Sequence, residues 1–211
     1  MDRGYIYLNK NNYLHNIEVL KNLSRKELCL VVKANAYGHG LEWAVKNAKE
    51  SGIKWFAVAS VGEGIQVKTV YGESRVLLLA EPSKNQLENV KVNDIDLTVY
   101  NESFIDTLIK TGDEYSVHLK IDTGMHRLGC PPEKFHYLYK KIVDSNLNLI
   151  GICTHFPLAD TDETETKKSI ELFEKTISDI DLSNMLLHVD NSASSLYKLD
   201  NSFNMARVGI A

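Results

Sequence analysis

The sequence has no apolar run long enough to span a bilayer, and its first ten residues, MDRGYIYLNK, lack the apolar core of a secretory signal. Membrane contact is therefore not predicted for this segment, and we expect it in the cytoplasm. A basic excess is also missing, because the formal net charge is −4. Nucleic acid is therefore a poor candidate for a partner.

Cysteine is scarce as well. The three residues Cys29, Cys130 and Cys153 are odd in number and far apart in the sequence. This pattern fits reduced thiols better than a disulfide framework or a zinc cluster.

The 211 residues are 44% hydrophobic and 25% charged, which suffices for one globular domain with a sizeable core. Short runs rich in β-branched residues alternate with longer amphipathic segments. The strand candidates are 28–32, 55–59, 76–80, 95–100, 116–122, 147–155, 186–190 and 206–210. Helical patterns between them include 41–52, 101–112, 131–145 and 163–180.

Strands that alternate with helices predict parallel βαβ units, and eight such strands favour a closed (β/α)8 TIM-like barrel. An open, doubly wound α/β sheet is the alternative. In a barrel the chemistry lies at the carboxyl ends of the strands. Three residues predicted there, Lys33, Arg127 and His155, are not of helix-capping types, so they are candidates for a functional site.

Five motifs occur in one order along nearly the whole chain. They are VVKANAYGHG (31–40), KIDTGMHRLG (120–129), CTHFPLAD (153–160), HVDNSAS (188–194) and ARVGIA (206–211). Together they resemble the amino-terminal barrel of alanine racemases and the related serine racemase domains. Members of that family are pyridoxal phosphate enzymes whose barrel is followed by a smaller β domain. The resemblance therefore implies that residues 1–211 form the cofactor-binding barrel, without its last helix and without the carboxyl-terminal β domain.

The resemblance implies that Lys33 holds pyridoxal phosphate as a Schiff base, a role that suits a sheltered amine at the end of a strand. It also implies that the phosphate group contacts Tyr37, the Ser192 hydroxyl and the backbone of Gly209 and Ile210, with Asn191 nearby. Hydroxyls and backbone amides beside glycine suit a phosphate anion. The Asn191–Ser192 pair is, from the residues alone, equally a helix cap.

The resemblance puts Arg207 at the pyridine nitrogen of the cofactor and His155 against its ring. A guanidinium is permanently protonated and does not readily share a second proton with that nitrogen, so the expected carbanion is short-lived. Arg127 is implied to bind the substrate carboxylate and the phenolic oxygen of the cofactor. Lys120 is expected to point into the barrel, and in many family members the matching lysine carries a carbamate. Asp122 is a competing neutraliser of Lys120.

The activity implied is interconversion of L- and D-alanine, a source of D-amino acid for peptidoglycan precursors. Inversion needs two acid–base groups, of which Lys33 is one. In the family the second is a tyrosine from the β domain of a partner subunit, so a homodimer is implied. We expect this chain alone to bind the cofactor and to racemise poorly.

The sequence is also compatible with other functions. The chain is alternatively a serine racemase domain, or a single-barrel protein that binds pyridoxal phosphate without turnover. Zinc is a weaker rival, since His155, Asp160 and His188 match no zinc motif. We expect His118 and His188 to be satisfied residues of the barrel interior.

Overall fold

The structure is a computed structural model that describes residues 4–197 and 203–209. Eight parallel strands close a barrel in sequence order, and the first strand pairs with the last. The strands are β1 Glu27–Val31, β2 Trp55–Val58, β3 Arg75–Leu78, β4 Ile95–Val99, β5 Ser116–Lys120, β6 Asn148–Cys153, β7 Leu186–Asp190 and β8 Met205–Val208. The predicted closed barrel is therefore confirmed over the open sheet, and all eight predicted strands are present.

Helices connect consecutive strands and surround the barrel. The helical segments are α1 Lys10–Ser24, α2 Lys33–Tyr37, α3 Leu41–Glu50, α4 Val61–Val70, α5 Leu87–Val92, α6 Glu102–Thr111, α7 Phe135–Val143, α8 Glu163–Thr176 and α9 Ser192–Tyr197. Of these, α2 is a left-handed turn and the others are right-handed. Short 3-10 turns at Lys84–Gln86 and Pro132–Lys134 lead into α5 and α7. The four predicted helical patterns become α3, α6, α7 and α8. In the described part of the chain no helix has the length and apolar character needed to cross a membrane.

The hydrophobic core consists of two separate clusters. A large apolar layer lies between the sheet and the helices, and includes Phe56, Leu97, Phe135 and Phe173. Burying one such side chain stabilises the fold by about 1.5–3 kcal/mol. A small apolar cluster that includes Cys29, Trp55, Ala57, Leu77 and Met205 packs separately from this layer. Other side chains are polar yet buried, among them His118, Lys120, His188 and Arg207.

Candidate active site

A cavity of about 770 Å³ is lined by residues from the carboxyl ends of the strands and the loops that follow them. Among the described residues that line it, the charged ones are Lys33, Lys120, Arg127, Asp160 and Arg207. Four cations thus face the cavity with one carboxylate. This excess of positive charge favours a ligand that carries negative groups.

Lys33 follows β1 directly and is half-buried at the cavity wall. Its Nζ lies 5.9 Å from the centroid of the Tyr37 ring. The segment after Lys33 is a left-handed turn, because Ala34, Asn35 and Ala36 all have φ between 51° and 55°, with ψ between 46° and 50°. A left-handed conformation costs about 1–2 kcal/mol at each residue with a side chain, so surrounding contacts must hold this segment in place.

A side chain of the left-handed turn binds the first residue of the next helix, α3. Asn35 Oδ1 accepts a hydrogen bond from the Leu41 backbone N–H at 2.8 Å, at the first residue of α3. Gly38 and Gly40 have φ of 91° and 94°, which glycine adopts without the steric cost of a side chain. The ANAYGHG motif therefore encodes a compact reversal between β1 and α3. The glycines were recognisable in the sequence, whereas the left-handed turn itself was not predicted.

Tyr37, Ser192 and Gly209 come together at one side of the cavity. The Gly209 N–H donates to Ser192 Oγ at 3.1 Å. A Cβ added at Gly209 would lie 2.7 Å from Cε2 of Tyr37, so only glycine fits beside this ring. Burial raises the pKa of Tyr37, so its phenol is protonated at neutral pH and able to donate. Ile210, the other residue predicted here, lies outside the described residues.

Asn191 also lines the cavity, but its side chain caps a helix. Its Oδ1 accepts from the Ser194 N–H at 3.1 Å, and its own N–H donates to Ser194 Oγ at 2.9 Å. The capping alternative raised for this residue is therefore realised.

Arg207 projects from β8 into the barrel, where it is 7% exposed. Its guanidinium donates to the Thr154 carbonyl at 2.6 Å and to His188 Nδ1 at 2.6 Å, and lies 3.4 Å from His155 Nδ1. Because a guanidinium only donates, His188 Nδ1 must be the acceptor. The structure thus brings Arg207 and His155 together at the end of β6.

The two interior histidines form a chain that starts at Arg207. His188 carries its proton on Nε2 and donates it to His118 Nδ1 at 2.8 Å. The proton of His118 is then on Nε2, which has no hydrogen-bond partner among the described residues. The expectation of a satisfied residue is therefore confirmed for His188 and wrong for His118 Nε2. Trp55 packs edge-on against the His118 ring, with centroids 5.8 Å apart.

All three histidines near Arg207 are held neutral. Burial, with the charge of Arg207 as a further cause, lowers the pKa of His155 to about 3 and the pKa of His188 well below its ordinary value. Burial also lowers the pKa of His118 to about 3. Neutral imidazoles are the consequence of placing these rings in a dry barrel interior next to cations.

Lys120 ends β5, lines the cavity and is only 8% exposed. Burial lowers the pKa of its amine, and Arg207 and Arg127 lower it further. No ion pair or hydrogen bond joins its side chain to another of the described residues, Asp122 included. Asp122 instead uses Oδ1 to accept the backbone N–H groups of Gly124 at 3.1 Å and His126 at 3.0 Å. Asp122 thus makes no direct ion pair with Lys120, although its charge acts to raise the pKa of that amine.

Arg127 lies on the loop between β5 and α7, which closes on itself. The backbone bond from Cys130 N–H to the Lys120 carbonyl, at 2.9 Å, joins the ends of this loop. Gly129 has φ of 137°, and a Cβ there would lie 2.6 Å from the Asp122 nitrogen, so the closure requires glycine. The loop carries Arg127 to the cavity mouth, where its side chain is largely exposed.

Two polar features of the site were missed by the sequence reasoning. Thr98, buried in β4, lines the cavity with a hydroxyl that has no partner among the described residues. Glu63, at the start of α4, accepts the backbone N–H of Ala34 at 2.7 Å. Its only sequence signal was the Ser60–Glu63 spacing of a helix-capping box.

Comparisons with known proteins agree with this architecture. A family profile described as "Alanine racemase, N-terminal domain" matches residues 8–211. An alanine racemase of Treponema denticola is 36% identical over 95% of this chain and 56% of its own length. An amino-acid racemase of Enterococcus faecalis is 34% identical over 83% of this chain and 26% of its own length.

Solved structures give the same result. An alanine racemase of Clostridium difficile 630 superposes with a TM-score of 0.87 at 30% identity, covering 95% of this chain and 55% of that one. A second structure of an alanine racemase of Clostridium difficile 630, in complex with cycloserine, superposes with a TM-score of 0.85 at 29% identity. The match covers 95% of this chain and 58% of that one. The chain therefore belongs to the alanine racemase family. It spans little more than half the length of the alanine racemases named here.

Proposed function

We propose that this chain is the pyridoxal phosphate-binding barrel of an amino acid racemase that acts on alanine, with serine as the alternative substrate. The observation that carries the proposal is the presence of the Lys33 amine in a cavity that is also lined by the two cations Arg127 and Arg207 and by the buried amine of Lys120. Such a cavity suits a ligand with a phosphate and a substrate with a carboxylate. The racemases among its relatives support the reaction class.

The residues present fit pyridoxal phosphate by three tests. Gly209 lets the Tyr37 ring lie against the backbone of β8's end, since a Cβ there would lie 2.7 Å from Cε2 of Tyr37. Tyr37 and Ser192 add hydroxyls there, as a phosphate requires. The buried Thr98 hydroxyl is without a protein partner and lines the same cavity. When bound, the cofactor supplies an electron sink for the pair released as the α-proton leaves the substrate.

Lys33 has two roles in this proposal. Its Nζ would hold the cofactor aldehyde, with loss of water, until the substrate amine takes its place, and the freed amine would then move a proton to and from the α-carbon on one face of the substrate. A tyrosine of a partner subunit is proposed to serve the other face, as the family resemblance implies, so a homodimer is proposed as well.

Arg207 is assigned to the pyridine nitrogen, with His155 against the ring. The hydrogen bonds of Arg207 to Thr154 and His188 fix the guanidinium in one orientation. Since His188 and His155 are neutral, no acid beside Arg207 supplies a proton to that nitrogen. A ring nitrogen that stays unprotonated beside Arg207 would weaken the electron sink that the cofactor supplies, and this would favour prompt reprotonation of the α-carbon over side reactions. Arg127, at the cavity mouth, is assigned to the substrate carboxylate.

Lys120 is proposed to carry a carbamate. Burial lowers the pKa of its amine, which raises the fraction of neutral amine available to carbon dioxide. The resulting negative group would offset the charge of Arg127 and Arg207 in the same cavity. A bare buried ammonium among these cations would instead remain without a counter-ion.

The proposed compartment is the cytoplasm. Cys29, Cys130 and Cys153 are buried free thiols, which suits a reducing environment.

The test of the proposed function is covalent capture of the cofactor. The protein is mixed with pyridoxal phosphate, reduced with borohydride and digested, and the modified lysines are identified by mass spectrometry. We expect phosphopyridoxyl on Lys33, no capture by Lys33→Ala, and normal capture by Lys46→Ala, which changes an exposed lysine of α3. Equal capture at Lys33 and at exposed lysines would contradict a built site. A cofactor carrier without turnover is distinguished by adding L- or D-alanine in deuterium oxide to the loaded protein and measuring exchange of the α-proton, a step that needs only Lys33.

A further inference from the structure

The carboxylate of Glu63 joins two neighbouring βα units of the barrel. Its Oε1 accepts the Ala34 N–H at 2.7 Å, immediately after Lys33. Its Oε2 accepts the N–H groups of Ala59 at 2.9 Å and Ser60 at 3.2 Å, between β2 and α4. One side chain therefore receives three backbone donors from two separate segments.

Helix capping accounts for only part of this arrangement. In a capping box the third helical residue accepts from the N-cap N–H, and Glu63 does so with Ser60. The bond to Ala34 lies outside that motif, since Ala34 follows β1 and stands 29 positions earlier in the chain. It is made by the first residue of the left-handed turn, at the peptide that also contains the Lys33 carbonyl.

The left-handed turn needs such an external contact. Three consecutive residues, Ala34, Asn35 and Ala36, adopt a conformation that side chains disfavour. Asn35 Oδ1 accepts from Leu41 at the far end of the turn, and Glu63 accepts from Ala34 at its beginning. A bond to a charged acceptor is stronger than one between neutral groups, so Glu63 is suited to hold the end next to Lys33.

We propose that Glu63 is a positioning residue for Lys33. By fixing the Ala34 amide it sets the direction in which the Lys33 side chain leaves the backbone, and so directs the amine into the cavity. Glu63 itself is not among the residues that line the cavity and makes no contact with the reacting groups in this proposal. The consequence for cofactor capture rests on the function proposed above, whereas the consequence for the backbone does not.

The experiment compares four variants of the whole chain. Glu63→Ala removes the carboxylate that accepts from the Ala34 N–H. Glu63→Gln keeps the size of the side chain but replaces one acceptor oxygen with an NH2 group, which cannot accept from the backbone. Ser60→Ala removes the side-chain half of the capping box and leaves the Ala34 bond intact. Asn101→Ala removes a comparable cap from α6, far along the chain from Lys33.

Two readouts are measured at equal temperature. The first is amide hydrogen exchange at Ala34, which we expect to accelerate about tenfold or more in both Glu63 variants, as loss of a charged hydrogen bond implies. The second is the rate of Lys33 modification, by pyridoxal phosphate with borohydride and separately by formaldehyde with cyanoborohydride. We expect both rates at Lys33 to change in the Glu63 variants and to stay at the wild-type value in Ser60→Ala and Asn101→Ala.

Unchanged Ala34 exchange in both Glu63 variants would overturn the proposal. So would faster exchange accompanied by a Lys33 modification rate equal to that of Asn101→Ala, because Glu63 would then only stabilise the fold. If Glu63→Ala does not fold, Glu63→Gln and Ser60→Ala still give the comparison. If wild-type protein fails to capture pyridoxal phosphate, the proposed function fails, and formaldehyde modification with Ala34 exchange still tests Glu63.

Discussion

The guanidinium of Arg207 donates to Nδ1 of His188 at 2.6 Å, and this contact determines the protonation of two buried rings. His188 must carry its proton on Nε2, and it donates to His118 Nδ1 at 2.8 Å. Both rings are neutral, since burial lowers the pKa of His118 to about 3 and that of His188 well below its ordinary value. Arg207 is therefore held by neutral acceptors.

These histidines predict a loss of stability in acid. Below pH 6.5, roughly the ordinary pKa of histidine, the unfolded chain binds protons at His118 and His188 while the folded chain does not. The free energy of unfolding therefore falls as the pH falls, by up to about 1.4 kcal/mol per pH unit for each fully buried histidine. Above that pH these residues contribute no slope. Urea unfolding at about pH 7 and about pH 5.5 measures the effect.

Two substitutions test the source of this acid dependence. His118→Asn removes one titrating ring. The change of unfolding free energy with pH should therefore decrease by the contribution of about one proton. His15→Asn changes an exposed histidine of α1 and should leave the slope unaltered. An identical slope in all three proteins would show that other groups cause the effect.

Gly209→Ala should disturb the Tyr37 side of the cavity. The added Cβ would lie 2.7 Å from Cε2 of Tyr37 and 3.0 Å from Cβ of Val31, so the ring must move. We expect a loss of about 1–3 kcal/mol of unfolding free energy, as is usual for overpacking. Pyridoxal phosphate binding, followed by absorbance titration, should weaken by about tenfold or more, since about 1.4 kcal/mol corresponds to a factor of ten.

Gly62→Ala is the matched control, because a Cβ at Gly62 meets nothing within 4 Å. Its cofactor affinity should equal that of the wild type. Equal affinities for Gly209→Ala and Gly62→Ala would argue against a ligand beside Tyr37.

A carbamate on Lys120 should be visible by carbon NMR with labelled carbon dioxide. Burial lowers the pKa of this amine, so the neutral form that reacts is present at a lower pH than for an exposed lysine. We expect one carbamate signal that is absent in Lys120→Gln and retained in Lys141→Gln. Lys141 is a suitable control because hydrogen bonds to Asp106 and Glu102 raise the pKa of its amine. At good resolution, density for a bare ammonium at Lys120 would refute the carbamate.

The left-handed turn predicts opposite effects for the same substitution at two sites. Ala34 has φ of 51° and ψ of 49°, so Ala34→Gly removes a steric cost of about 1–2 kcal/mol. The greater freedom of glycine in the unfolded chain offsets about 0.4–1 kcal/mol of this gain. Ala44→Gly, in the right-handed helix α3, should instead lose about 1 kcal/mol. Thermal and urea unfolding of both variants would show whether each substitution raises or lowers the free energy of unfolding. Destabilisation by Ala34→Gly would contradict backbone strain at Ala34.

Much of the fold was accessible from the sequence because each β-strand is a short apolar run between turn signals. The ends were less accurate where tertiary contacts decide them. The sixth strand was predicted to reach His155, but it ends at Cys153, next to the Thr154 carbonyl that accepts from Arg207. The pattern 131–145 becomes helical in two steps, with a 3-10 turn at Pro132–Lys134 before α7.

The site was predictable where it depends on side chains within motifs and not where it depends on contacts between them. Lys33, Arg207 and His155 were named from their motifs, and all three line one cavity. Glu63 was missed because its bond to Ala34 joins segments that only the folded barrel brings together. The sequence also did not reveal that the Asp122 carboxylate accepts hydrogen bonds from the backbone of its own loop instead of pairing directly with Lys120.

The pairing of β1 with β8 has a consequence for how a ligand affects the barrel. Lys33 follows β1, and Arg207 lies opposite Cys29 across the seam between the two strands. A molecule held by both residues would bridge this seam and bind only the closed ring, so it would stabilise the closed form by an amount that grows with the logarithm of its concentration. Opening at the seam, measured as hydrogen exchange of the Cys29 and Arg207 backbone amides, should therefore slow when the cavity is filled. The ligand would then stabilise the closed barrel in addition to taking part in the reaction.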